Sequence, residues 1–129
     1  MKLISKCWPF FWLGAGAITI FGDVFIRKDY WALLTPYNQQ SLMTHETTHL
    51  RQQKDAGIVW FIKYIFSKKF RLAQEVEAYG AQAKMDIVKG FNKEDTIKRF
   101  AACLLSPTYF NMIDEAGAIL ALRTEVNKL

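Results

Sequence analysis

The chain holds only two histidines, and they stand four residues apart in His45-Glu46-Thr47-Thr48-His49. Residues i and i+4 of a helix face the same way, so both imidazoles can reach one ion. Glu46 follows the first of them, turned about 100° around the helix. From there its carboxylate can take a proton from an attacking water without ligating the metal. The chemistry this spacing suits is metal-assisted hydrolysis.

A catalytic zinc takes three protein ligands and keeps one position open. No later histidine exists to continue the longer H-E-x-x-H-x-x-G-x-x-H pattern, so the third donor is expected to be a carboxylate. Glu75 and Glu77 in Ala73-Gln74-Glu75-Val76-Glu77-Ala78-Tyr79 are the candidates. If this segment is a helix, Leu72, Val76, Tyr79, Ala83 and Ile87 form its apolar face. Glu75 then falls at the edge of that face, and Glu77 points about 120° away from its centre. A carboxylate at a buried edge is costly unless it has a partner, which a metal ion supplies. Glu75 is the expected ligand and Glu77 a solvated side chain.

These residues resemble the gluzincins, in particular the short ones called minigluzincins. The likeness rests on His45, Glu46 and His49 on one helix and on Glu75-Val76-Glu77-Ala78-Tyr79 in a second, and spans roughly residues 42–83. It implies a zinc peptidase with one Zn2+ per chain, held by His45, His49 and Glu75, with Glu46 as general base and a peptide or protein as substrate. It also implies that the edge of a hairpin between Ala17 and Lys28 takes the substrate in extended form.

Many members of that family carry an aspartate four residues after the ligand glutamate, where it orients a histidine; this chain has Tyr79 there. Asp114 or Glu115 could do that work instead, though both equally suit the first turn of a helix. The donor for a developing oxyanion is open among Tyr64, Tyr79 and Tyr109, each of which also suits a core.

The elements that must position these groups can be read from periodicity and punctuation. Ile18, Ile20, Val24 and Ile26 are β-branched around Gly22-Asp23, which suggests one β-hairpin. Thr35-Pro36 starts a helix that runs to about Asp55 and stops at Gly57. The apolar stretch from Ile58 to Phe66 follows, and Ser67 caps a helix reaching Lys89, with Gly90 as its stop. Asn92 starts another helix, ended by Ser106-Pro107, and Asn111 or a neighbour starts the last. The expected fold is α+β and mostly α: an N-terminal hairpin, then four to five helices, with a zincin-like active-site helix in one domain over residues 1–129.

With 51% hydrophobic and 22% charged residues the chain can bury one core. Aromatics crowd its first third, as Trp8, Phe10, Phe11, Trp12, Phe21, Phe25, Tyr30 and Trp31. Cys7 and Cys103 match no metal or redox spacing and read as free thiols in a reducing compartment. The net charge of +5 is dispersed, and neither a nucleic-acid motif nor a phosphate loop accompanies it.

Met1 to Gly22 imitates a signal peptide, but Pro9 and two glycines interrupt the run, which is also short for a membrane span. A cytoplasmic protein is expected. The first alternative is a non-catalytic zinc-binding interaction module, and the second a membrane-surface protein in which Trp8 to Gly22 or the cation-flanked Ile58 to Phe70 lies in the headgroup region.

Overall fold

The computed structural model describes residues 1–5, 16–105 and 112–128. Its fold is α+β and mostly helical. Three short strands, β1 (Lys2–Ile4), β2 (Ala17–Ile20) and β3 (Asp23–Arg27), form a sheet in the order β1-β3-β2. β2 and β3 are the expected hairpin. Their closing pair is Ile20 with Asp23, so the turn is Phe21-Gly22, one residue earlier than the sequence suggested. Both turn residues have positive φ, 50° at Phe21 and 81° at Gly22, as the right-handed strand twist demands of a two-residue loop. β1, which lies parallel to β3, was not foreseen, because three residues carry no periodicity to read.

Among the described residues β3 is therefore the central strand, and the free edge of the hairpin belongs to β2. The Gly16 carbonyl accepts the Arg27 N–H at 2.9 Å. Hydrogen-bonded and open pairs alternate along an antiparallel ladder, so Ala17 and Thr19 turn their backbone groups to that free edge. The Thr19 carbonyl there accepts Nε2 of Gln53 at 2.9 Å.

Six helices follow among the described residues: α1 (Lys28–Leu33), α2 (Pro36–Gln53), α3 (Ile58–Phe66), α4 (Lys68–Lys89), α5 (Lys93–Leu104) and α6 (Glu115–Val126). The short α1 was not anticipated. Hydroxyl or amide side chains cap three of the helices as their sequences imply: Thr35 takes the Asn38 N–H, Ser67 that of Phe70 and Asn92 that of Asp95. Gly90 ends α4 in the left-handed conformation. α6 starts later than expected, with Asp114 as its cap accepting the Gly117 N–H at 2.7 Å and Glu115 in its first turn. Both acids thus serve the helix end and not a histidine. Cys7, Tyr109, Asn111, Ser106-Pro107 and the aromatics from Trp8 to Trp12 lie outside the described residues.

The apolar core lies between α4, α5 and α6, from Val76, Ala83, Ile97, Phe100, Ala101, Leu104, Ala118 and Leu122. α2 does not share it. The buried residues of α2 are Ser41, His45, Glu46, Thr48, His49 and Gln53, all polar. They are held between the hairpin on one side and α4 on the other, and a helix that buries this much polarity needs a partner for each group. Among the described residues no helix is long and apolar enough to cross a membrane.

Candidate metal centre

α4 is buried along two stripes, and this decides the fate of Glu75. Val76, Ala83 and their neighbours face the apolar core. A second stripe, with Arg71, Glu75, Ala78, Gln82 and Asp86 at helical spacing, is also buried. Glu75, Gln82 and Asp86 meet α2 along it, through His45, His49 and Tyr37. Glu75 is 2% exposed, deeper than the edge position its sequence suggested.

Its carboxylate meets both histidines: Oε2 lies 3.3 Å from Nε2 of His45, and Oε1 lies 3.3 Å from Nε2 of His49. The two Nε2 atoms are 3.1 Å apart. Neighbouring donors of a tetrahedral ion with bonds of about 2.0–2.1 Å stand about 3.3–3.4 Å apart, so the three groups are close to a ligand set already gathered. His45, His49 and Glu75 form a buried group that could hold a metal ion. Oε2 of Glu75 is buried and accepts no hydrogen bond, the kind of orphan an ion would satisfy.

The supports around this trio escaped the sequence reading. Oε1 of Gln52 faces Nδ1 of His49 at 2.8 Å, while Nε2 of Gln52 donates to the Gln74 carbonyl at 3.1 Å and to Glu77 at 2.8 Å. Oε1 of Gln82 faces Nδ1 of His45 at 2.9 Å, and its Nε2 donates to Ser41 at 2.9 Å. Each imidazole is thus gripped at Nδ1 and presents Nε2 to the carboxylate.

The orienting work expected of position 79 falls to these two glutamines. Tyr79 instead lays its ring across that of His45, with centroids 4.3 Å apart. Glu77 is half-buried, paired with Arg51 and Gln52, and not simply solvated. Gln52 could have been found one turn beyond His49 and Gln82 two turns beyond Glu75, but only once the helix faces were known.

Tyr64 of α3 donates to Oε1 of Glu75. Burial and the charge of Glu75 push its phenol well above the ordinary range, so it stays a donor. The buried guanidinium of Arg71 holds Tyr64 in place by donating to the Tyr64 and Ile65 carbonyls at 2.7 and 3.2 Å, closing the end of α3. Burial opposes charge on both His49 and Glu75, yet their mutual hydrogen bond and attraction outweigh it. His49 is lifted to about 9, and Glu75, attracted also by His45, falls far below the carboxylate range.

Glu46 stands outside the trio. Its Oε2 accepts the Thr19 hydroxyl of β2 at 2.5 Å, tying α2 to the open strand. Together with His45 it lines a cleft of about 440 Å³ whose walls include Gly16 and Ala17, Tyr30 of α1 and Arg99 of α5. Cys103 also lines this cleft as a free thiol, its pKa raised by burial. Of the tyrosines considered from sequence, Tyr64 is engaged by Glu75 and Tyr79 by His45. Tyr30, which was not considered, is a cleft-wall phenol close enough to Glu46 for that charge to help raise its pKa, after burial.

Comparison with protein-family models, with curated proteins and with solved structures finds no match to this chain.

Proposed function

We propose that the chain is a zinc peptidase of the gluzincin type, one Zn2+ per chain held by His45, His49 and Glu75. The observation that carries this reading is the separation of roles among buried groups. Three donors converge, while a second carboxylate, Glu46, stays out of the set and lines the cleft beside His45. Two imidazoles and one carboxylate suit zinc with a position left open. A purely structural zinc has no use for Glu46.

Bound there, zinc would supply Lewis acidity, polarising a carbonyl and bringing a water toward a pKa of about 7. The residues do the rest. Glu46, steadied by Thr19, accepts the proton of the attacking water and returns it to the leaving amine. The open edge of β2 offers the backbone groups of Ala17 and the N–H of Thr19 to an extended peptide, which demands little of its side chains. Tyr30, on the wall shared with Glu46, is the phenol we assign to the developing oxyanion.

Elemental analysis after zinc reconstitution, paired with a peptide-library digest read by mass spectrometry, tests this. About one zinc per chain is expected, with cleavage that a chelator abolishes and added zinc restores. A protein that retains no divalent ion, or that is loaded with zinc and cleaves nothing, contradicts it.

A further inference from the structure

The helix that walls the metal site on one side is bare on the other. Trp60 and Tyr64 of α3 turn inward, their rings 5.9 and 6.5 Å from that of His49. Ile58, Val59, Ile62, Ile65 and Phe66 turn outward, and at about 100° per residue they share an arc of about 120°. These are five of the twelve exposed large apolar side chains among the described residues, with Ile65 63% and Phe66 83% exposed. Phe21, at the hairpin tip, is 77% exposed and extends the patch through a ring contact with Phe61 at 5.3 Å. Six such side chains present apolar surface on the order of several hundred Å², which marks an interaction site.

Phe21 adds an independent sign. Its φ of 50° lies in the left-handed region, which an aromatic side chain adopts at a cost, and its exposed ring recovers little by packing. A strained position spent on an outward phenylalanine suggests that the ring has work outside the fold.

Charge identifies the occupant. No aspartate or glutamate occurs from Ala56 to Gln74, whereas Lys63, Lys68 and Lys69 are exposed along the stripe and just beyond its end. A second copy packed symmetrically on this face would bring those lysines against their own counterparts. An anionic bilayer pairs them and accepts a convex aliphatic ridge without needing a matching groove. We propose that the outer face of α3, with Phe21, docks on the surface of an anionic lipid membrane, the apolar side chains entering the acyl boundary and the lysines meeting headgroups.

Co-sedimentation with vesicles of equimolar phosphatidylcholine and phosphatidylserine, against vesicles of phosphatidylcholine alone, tests the proposal. Two double variants, Ile62→Gln with Ile65→Gln and Lys68→Glu with Lys69→Glu, change exposed positions outside the metal site, and circular dichroism checks their fold. The protein is expected to sediment with the mixed vesicles and far less with the neutral ones. Each double variant should bind the mixed vesicles about ten-fold or more weakly. Sedimentation with neither vesicle, binding unchanged in both variants, or a dimer in light scattering that Ile62→Gln with Ile65→Gln dissociates would overturn it.

Discussion

Gln52 fixes the position of the proton on His49. The amide nitrogen of Gln52 is committed to the Gln74 carbonyl and the Glu77 carboxylate, both of which only accept. Its oxygen must therefore face His49, so Nδ1 carries a hydrogen and Nε2 is the atom left for an ion. Replacing Gln52 with alanine frees the ring to rotate and to choose the other tautomer. Zinc affinity should fall roughly 10- to 100-fold, measured by chelator competition. Glu77→Ala removes a partner of Gln52 rather than of the ion and should cost less. Equal losses in the two variants would mean that this chain of contacts does not orient the histidine.

The same geometry sets a pH dependence. In the metal-free protein His49 titrates near 9, above its ordinary value of 6.5, because the bond and charge of Glu75 outweigh burial. His49 is therefore protonated at neutral pH, and an incoming ion must displace a proton. Calorimetry in buffers of different ionisation enthalpy should find about one proton released per zinc at pH 7, with affinity rising toward pH 9. For folding of the metal-free chain, a raised pKa stabilises fully below 6.5 and ceases to do so as the pH passes 9. The depressed pKa of Glu75 acts oppositely, and its stabilisation is lost as acid protonates the carboxylate. Metal-free protein should thus melt at lower temperature at pH 10 than at pH 7. A flat profile over that range would count against the His49–Glu75 pairing.

Thr19 and Tyr30 should affect turnover without affecting the metal. Thr19→Val keeps the shape of a β-branched strand residue but removes the hydroxyl that holds Oε2 of Glu46. A misplaced base should lower kcat roughly ten-fold or more. Tyr30→Phe should lower kcat by about 10² if its hydroxyl stabilises the oxyanion. Elemental analysis should find zinc content unchanged in both. Loss of zinc in either variant would assign that residue to the metal site instead.

Phe21→Asn should stabilise the fold. Asn-Gly suits a two-residue turn in which both residues have positive φ, whereas phenylalanine at 50° is strained. The ring is exposed, so little packing is lost, and the gain should be about 1 kcal/mol, seen as a higher melting temperature. A lower melting temperature would show that the contact of Phe21 with Phe61 outweighs the strain.

The extent to which the sequence revealed this site follows from how local each signal is. His45, Glu46 and His49 lie within five residues of one helix, whose Thr35-Pro36 start is itself legible, so their shared direction needs no tertiary knowledge. Glu75 could be separated from Glu77 by helical angle alone, but its depth could not, because α4 packs on two sides and a single apolar stripe describes one of them. Gln52 and Gln82 were invisible for a different reason. Glutamine is ordinary on a helix surface, and these two become anchors only when α2 and α4 are laid together. β1 and α1 are too short for periodicity to register, and without β1 the middle strand of the sheet passes for a free edge.

The division of labour between Glu46 and the trio is the centre of the account, and Glu46→Gln tests it most directly. Glutamine keeps the size of the side chain and an oxygen for the Thr19 hydroxyl, but it cannot accept a proton from water. Zinc content and hydrolysis of one cleaved peptide should be measured on the same preparation, beside the wild type. The account predicts unchanged zinc, about one per chain, with hydrolysis slower by roughly 10²-fold or more. Wild-type cleavage by a zinc-loaded Glu46→Gln protein would contradict it, and so would loss of the zinc itself, which would place Glu46 among the ligands.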